Sequence, residues 1–99
     1  SHEELGRLAN YLNQHPGLRI QISGHTDNTG SRELNLRLSY DRARGVADYL
    51  QTLGIAPGRL EVAGYADTMP VASNDTREGR ALNRRTVFSI IGQQEPETP

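Results

Sequence analysis

Apolar positions along the chain follow two periods, and the switches between them mark out the elements. Leu5, Leu8, Ala9 and Leu12 recur at i, i+3, i+4 and i+7, which predicts an amphipathic helix over Glu3 to Gln14. The run His15-Pro16-Gly17 stops it. The period then drops to two: Leu18, Ile20 and Ile22 alternate with Arg19, Gln21 and Ser23, the pattern of a half-buried strand. A polar loop from His25 to Gly30 leads to Ser31, a suitable N-cap for a helix running to Leu53. Glu33 and Arg37 supply an i, i+4 pair on that helix, Gly54 suits its C′ position, and Pro57-Gly58 marks a turn. Leu60 to Ala66 reads as a second strand, Asp67 to Asn74 as a loop, Thr76 to Asn83 as a short helix, and Thr86 to Ile91 as a third strand rich in β-branched residues. From Gly92 the tail GQQEPETP has nothing to bury, so residues 1–91 read as the domain and 92–99 as a flexible tail or linker.

This order predicts an α/β fold, a two-layer βαβ-type sandwich with helices on one face of a mixed sheet. A right-handed crossover through the long helix makes the first two strands parallel. The leading helix needs a surface to pack on, and a strand before Ser1 would complete the sheet. The chain has no initiator Met and reads as beginning inside a helix, like an excised domain.

One helix face breaks the pattern. Asn35, Ser39, Arg42, Val46, Leu50 and Leu53 share a face of the long helix. Its second half is apolar, but its first half places an amide, a hydroxyl and a guanidinium where apolar groups belong. Polar groups withdrawn from water need partners, and an Arg among them needs an anion. The local anion is Asp27. The polar end of the helix and the loop before it therefore read as a site.

Composition narrows the chemistry. Only 34% of the 99 residues are hydrophobic and 5% aromatic, so the core rests on Leu, Ile, Val and Ala. The net charge of -1 gives no general attraction to nucleic acid or to an anionic membrane surface. All 11 cationic side chains are Arg, forked donors suited to carboxylates. Cys is absent, which excludes disulfides and thiolate metal sites. No apolar run approaches the roughly 20 residues that span a bilayer as a helix. His2, His15 and His25 lack metal-ligand spacing, so no metal is expected. Ser39 has no local base and no GxSxG elbow, phosphate-binding glycine motifs are missing, and few aromatics remain for stacking on bases. No cofactor and no catalytic residue is expected. Asn74-Asp75-Thr76 matches a glycosylation sequon, a short and unspecific pattern.

A helix N-terminus with short polar side chains such as Thr26 and Thr29 suits an anion. Arg42 lies about three turns in and leans back toward the loop, since helical side chains point N-terminally. An acid and a base together suit a zwitterion, with Asp27 for an ammonium and Arg42 for a carboxylate. The other reading, equally compatible with the spacing, is a structural Asp27–Arg42 ion pair that pins the loop. Asn83-Arg84-Arg85 is a second basic feature, and only one of its two Arg can face a site beside the sheet.

The segments Ile22-Ser-Gly-His-Thr-Asp27, Gly30, Asn35, Leu38-Ser39, Arg42-Ala43, Val46, Leu50 and Gly54-Ile55 resemble the OmpA-like domain of outer-membrane proteins, peptidoglycan-associated lipoproteins and flagellar stators. Gly64-Tyr65, Pro70-Val71-Ala72, Asn74, Thr76, Glu78-Gly79-Arg80 and Asn83-Arg84-Arg85 extend the resemblance to about Ile91. It implies non-covalent binding of peptidoglycan in the periplasm of a Gram-negative bacterium. In such domains the stem-peptide meso-diaminopimelate is held by the residues that here are Asp27 and Arg42, with Asn35 and Arg85 lining the same pocket. A first strand precedes the first helix in the family and is missing here.

The leading expectation is thus a binding module that anchors a membrane-attached parent protein, associated with the outer membrane, to the wall. The alternative is a module for protein partners of the envelope or for dimerisation, with wall binding secondary. A wall hydrolase ranks third, because nothing positions a nucleophile, a metal or a paired acid and base.

Overall fold

A computed structural model describes residues 2–93. Helix α1 spans His2–Gln14, strand β1 Leu18–Gly24, helix α2 Arg32–Thr52, strand β2 Leu60–Gly64, helix α3 Arg77–Asn83 and strand β3 Thr86–Gln93, with a 3-10 turn at Pro57–Arg59 before β2. The three strands form one sheet in the order β2-β1-β3. β1 runs parallel to β2 from the pair Ile20↔Leu60 to Gly24↔Gly64, and antiparallel to β3 with Ile22 opposite Phe88. The architecture is the mixed α/β sandwich that the sequence predicts.

Both ends of α2 are closed as the sequence chemistry dictates. Ser31 Oγ accepts the backbone N–H of Leu34. At the far end Gly54 takes a φ of +97°, and its N–H and that of Ile55 return to the carbonyls of Gln51 and Leu50. This is a Schellman cap, which needs a residue that tolerates the left-handed conformation. The apolar residue after the glycine, Ile55, is buried with Leu50 in the core. That core joins Ala9 and Leu12 of α1, Leu18, Ile20 and Ile22 of β1, and Ala43, Ala47 and Leu50 of α2. The fork of Arg59 then ties α1 down: it donates to the carbonyls of Leu12, His15 and Leu18 at 2.7–3.0 Å. The first two are acceptors at the end of α1, where a helix has no partners of its own.

Two strand ends, one helix face and one ion pair differ from expectation. β2 ends at Gly64 instead of Ala66, because Ala66 turns into the left-handed region with φ 52°. β3 continues to Gln93, so Gly92 and Gln93 pair with Arg19 and Leu18 instead of joining the expected tail. The rest of that tail, 94–99, lies outside the described residues. The buried stripe of α2 runs through Asn35, Ser39, Ala43, Ala47 and Leu50. Arg42 therefore sits on the exposed flank of the stripe instead of in it, and Val46 and Leu53 are half-buried. The ion pair on the exposed side of α2 is Arg44–Asp48, at 3.2 Å, instead of the expected pair of Glu33 with Arg37.

The helices cover β1 and β2 but leave much of β3 open. Phe88 and Ile90 share the helix-side face of the sheet yet remain 40% and 66% exposed. An apolar hollow of about 460 Å³ runs between Leu5, Leu8, Val46 and Phe88.

The two layers approach closest where β1 and β2 end. A methyl group on Gly24 would overlap the carbonyl oxygen of Ser39, and one on Gly64 would press on the backbone of Tyr40. Gly24→Ala is therefore expected to destabilise the domain by about 1–3 kcal/mol, or more if the helix cannot shift. Ala at the open position Gly45 should not do so, and paired chemical denaturation curves check this.

Candidate functional site

The site is built at the C-terminal ends of β1 and β2, where the loop 25–31 passes over the first turns of α2. Strand-like hydrogen bonds continue past both strands. His25 N–H donates to the carbonyl of Arg85, Thr26 N–H to that of Ala66, and Tyr65 N–H to that of Gly24. The loop is consequently held from both sides. Ser39, fully buried, explains one of the polar positions on α2. Its hydroxyl donates to the Leu36 carbonyl and accepts the N–H of Ala66. The hydroxyl thus serves the turn that ends β2, at the one non-glycine residue in the left-handed region among the described residues.

His25, Thr26 and Asp27 are all buried. The Thr26 hydroxyl donates to the Asp27 carbonyl, and Asp27 Oδ1 accepts the Thr29 N–H at 2.8 Å. Asp27 Oδ2 accepts Arg84 Nη1 at 2.6 Å. The Thr29 N–H first, and Arg84 second, hold the Asp27 carboxyl below its ordinary value of 3.8. The Asp27–Arg42 ion pair that was one reading of the sequence does not form. Arg42 Nη1 instead donates to the carbonyl of His25 at 3.0 Å, and the rest of its fork stays exposed.

Of the two adjacent arginines it is Arg84 that reaches Asp27. Arg85 lies across the strand and donates to the carbonyls of Met69 and Asn83. The sequence rule that only one of them can face the loop holds, but the choice depends on register. Thr86 pairs with Gly24, so residue 84 falls on the same side as Thr86 and Phe88. Asn83, at the end of α3, is fully buried and supports the site indirectly. Its amide binds the backbone of Val71 and Ala72 and the side chain of Asn74, fixing the loop before α3. Neither role was visible in the spacing, because both depend on contacts distant in sequence.

Asn35 is buried and lines a polar hollow of about 410 Å³ with Gly30, Arg32, Asp67 and Thr68. Its side-chain amide bonds to none of the described residues. The hollow adjoins the loop through Gly30, whose φ of +87° turns the chain into the cap of α2. No group of three His, Cys, Asp or Glu side chains among the described residues is placed to hold a metal ion.

The chain matches the OmpA family over residues 1–84. It belongs to that family. This OmpA-family domain is 48% identical over 89 residues to the peptidoglycan-binding protein ArfA of Mycobacterium tuberculosis, covering 90% of the domain and 27% of that relative. It is 42% identical over 92 residues to outer membrane protein Omp38 of Acinetobacter baumannii, covering 92% of the domain and 26% of that relative. The chain thus spans about a quarter of the length of these relatives. Among solved structures, the peptidoglycan-associated lipoprotein of Burkholderia pseudomallei superposes with a TM-score of 0.84 at 35% identity, over 87% of this chain and 73% of that one. The cell wall anchor of the T6SS from Pseudomonas aeruginosa gives 0.80 at 36% identity, over 95% and 66%.

The ring of His25 sits under the site, on the face of the sheet opposite the helices. Its Nε2 lies 3.0 Å from Ser23 Oγ, while its Nδ1 is buried without a partner among the described residues. Placing the proton on Nε2 leaves only a lone pair unused at Nδ1, the less costly arrangement. Burial first, and the charge of Arg85 second, lower its pKa below the ordinary 6.5. A lowered imidazole pKa stabilises the fold above the unfolded value, and that stability is lost as pH falls through the folded one. The domain should therefore lose thermal stability as pH drops below 6.5, and His25→Gln should flatten the curve there. Melting temperatures measured across pH check this; equal slopes for both proteins would refute it.

Proposed function

We propose that this domain binds peptidoglycan non-covalently through the meso-diaminopimelate of the stem peptide, and so anchors its parent envelope protein to the cell wall. The observation that carries the reading is an oriented cationic fork on α2 held against the loop that carries a buried carboxylate. Arg42 is held at the carbonyl of His25, two residues before Asp27, with most of its donors free to solvent. Diaminopimelate ends in a carboxylate and an ammonium on one carbon, which suits that spacing of charges. A guanidinium fork binds a carboxylate by two parallel hydrogen bonds, stronger than neutral ones.

Arg42 takes the carboxylate and Asp27 the ammonium. The free amide of Asn35 takes a polar group of the peptide in the adjoining hollow. The Thr29 N–H holds the Asp27 carboxylate and the Thr26 hydroxyl holds the Asp27 backbone carbonyl, while Arg85 donates to the Met69 carbonyl. The domain works by binding and not by catalysis, as OmpA-family domains do. Similarity to the peptidoglycan-binding protein ArfA, to a peptidoglycan-associated lipoprotein and to a cell wall anchor supports the choice of partner. Omp38 and the peptidoglycan-associated lipoprotein support a periplasmic location in a Gram-negative envelope, near the outer membrane. None of the described helices is long and apolar enough to cross a membrane.

A second reading, docking of an envelope protein or dimerisation with wall binding secondary, is favoured by the open apolar face of β3. Calorimetry with a muropeptide ending in meso-diaminopimelate, against one with Lys in its place, separates the two. We expect the first peptide to bind far more tightly than the second. Arg42→Ala should abolish that binding and prevent co-sedimentation with sacculi, while costing no more than about 1 kcal/mol of stability, since it removes one hydrogen bond of an exposed side chain. A folded wild-type domain that ignores both peptides would favour the protein-docking reading.

A further inference from the structure

Asp27 is not an empty seat. Its Oδ2 is occupied by Arg84 at 2.6 Å, and Oδ1 by the Thr29 N–H. The two partners are unequally fixed. The Asp27 side chain is 10% exposed and bound at both oxygens, whereas that of Arg84 is 47% exposed. Arg84 is also the C-cap of α3, with its backbone N–H bonded to the Arg80 carbonyl, so its main chain is anchored while its fork stands in water. Such a guanidinium can swing away from Asp27 at the cost of one ion pair, and nothing else in the fold need move.

We propose that Arg84 is a resident counter-ion of Asp27 and sets the selectivity of the site by ion-pair exchange. The inference rests on the diaminopimelate reading above. In the free domain the Asp27 charge is balanced by Arg84, and the exposed fork of Arg42 faces solvent. A ligand ammonium takes over Asp27 Oδ2 and releases Arg84. The released fork then turns to the carboxylate on the same ligand carbon, beside Arg42. A zwitterionic end thus replaces each contact it breaks. An amine alone breaks the Asp27–Arg84 pair and leaves the Arg84 guanidinium without an anion, a change penalised by the loss of a charge-assisted hydrogen bond. Selectivity against a simple amine then comes from two arginines: Arg42 attracts the carboxylate, and Arg84 makes the ammonium seat costly for any ligand without one. Discrimination of this kind is built by penalising the wrong ligand as well as by holding the right one.

The test is the ratio of affinities for the diaminopimelate and Lys muropeptides in the wild type and in Arg84→Gln. The variant removes the resident charge and keeps a polar side chain at a half-exposed position. We expect the Lys peptide to gain about tenfold in affinity while the diaminopimelate peptide changes by less than about threefold, so that the ratio narrows. In the ligand-free protein, the Asp27 carboxyl followed by NMR should titrate at higher pH in Arg84→Gln, though still below its ordinary value because the Thr29 N–H remains. An unchanged ratio, or a Lys peptide that binds no better, overturns the exchange while leaving the wall-binding reading in place. An Asp27 titration insensitive to the substitution also overturns it. A wild type that binds neither peptide removes the diaminopimelate reading, and the exchange with it.

Discussion

The distance between helix α2 and the ends of the two parallel strands governs this domain. Glycine at positions 24 and 64 lets the Ser39–Tyr40 backbone lie against the sheet where a methyl group would collide with it. That proximity puts the Ser39 hydroxyl within reach of the Ala66 N–H, which ends β2 in a left-handed turn, and it brings the Arg42 fork to the His25 carbonyl. The loop 25–31 is therefore shaped by main-chain packing beneath it. The polar half of the α2 face, out of place in a core, is what this close approach needs. A helix pressed on strand ends meets unpaired backbone groups there, and these need partners.

The site is an uneven distribution of charge on a domain with almost none overall. Asp27 is withdrawn from water and saturated by hydrogen bonds. The arginines around it have their backbones fixed and their forks partly free. The low dielectric around the carboxylate strengthens whichever cation sits on it, and the exposure of Arg84 keeps that choice open. His25 connects this arrangement to the sheet: its carbonyl holds Arg42, its N–H holds the start of β3, and its ring is neutral and buried.

Most of the fold was legible in the sequence, because its elements are marked by local chemistry. The 3.6 and 2.0 periods, the Ser31 cap, the Gly54 stop and the Pro57-Gly58 turn all act within a few residues. Asp27 and Arg42 stood out for the same reason, being charges out of place on a readable pattern. What could not be read depends on register between distant segments. Whether Ala43 or Arg42 enters the core is a rotation of α2 by one residue, and spacing permits both. Whether Arg84 or Arg85 meets Asp27 is decided by the pairing of Thr86 with Gly24, more than fifty residues apart in the chain. The fork of Arg59 on the end of α1, and Asn83 under the 71–74 loop, gave no local sign because their partners are carbonyls and N–H groups that every residue carries.

The order β2-β1-β3 has a mechanical consequence. The loop that carries Asp27 leaves the central strand, which is bonded along its length to a parallel neighbour on one side and an antiparallel one on the other. Tension applied at that loop along β1 meets both ladders in shear, so many backbone hydrogen bonds share the load at once. Had the loop left an edge strand, a single ladder would carry the force and open bond by bond like a zipper. A wall anchor, the role proposed above, would feel pull and release whenever the envelope flexes, and its grip would be rooted in the strand hardest to peel away.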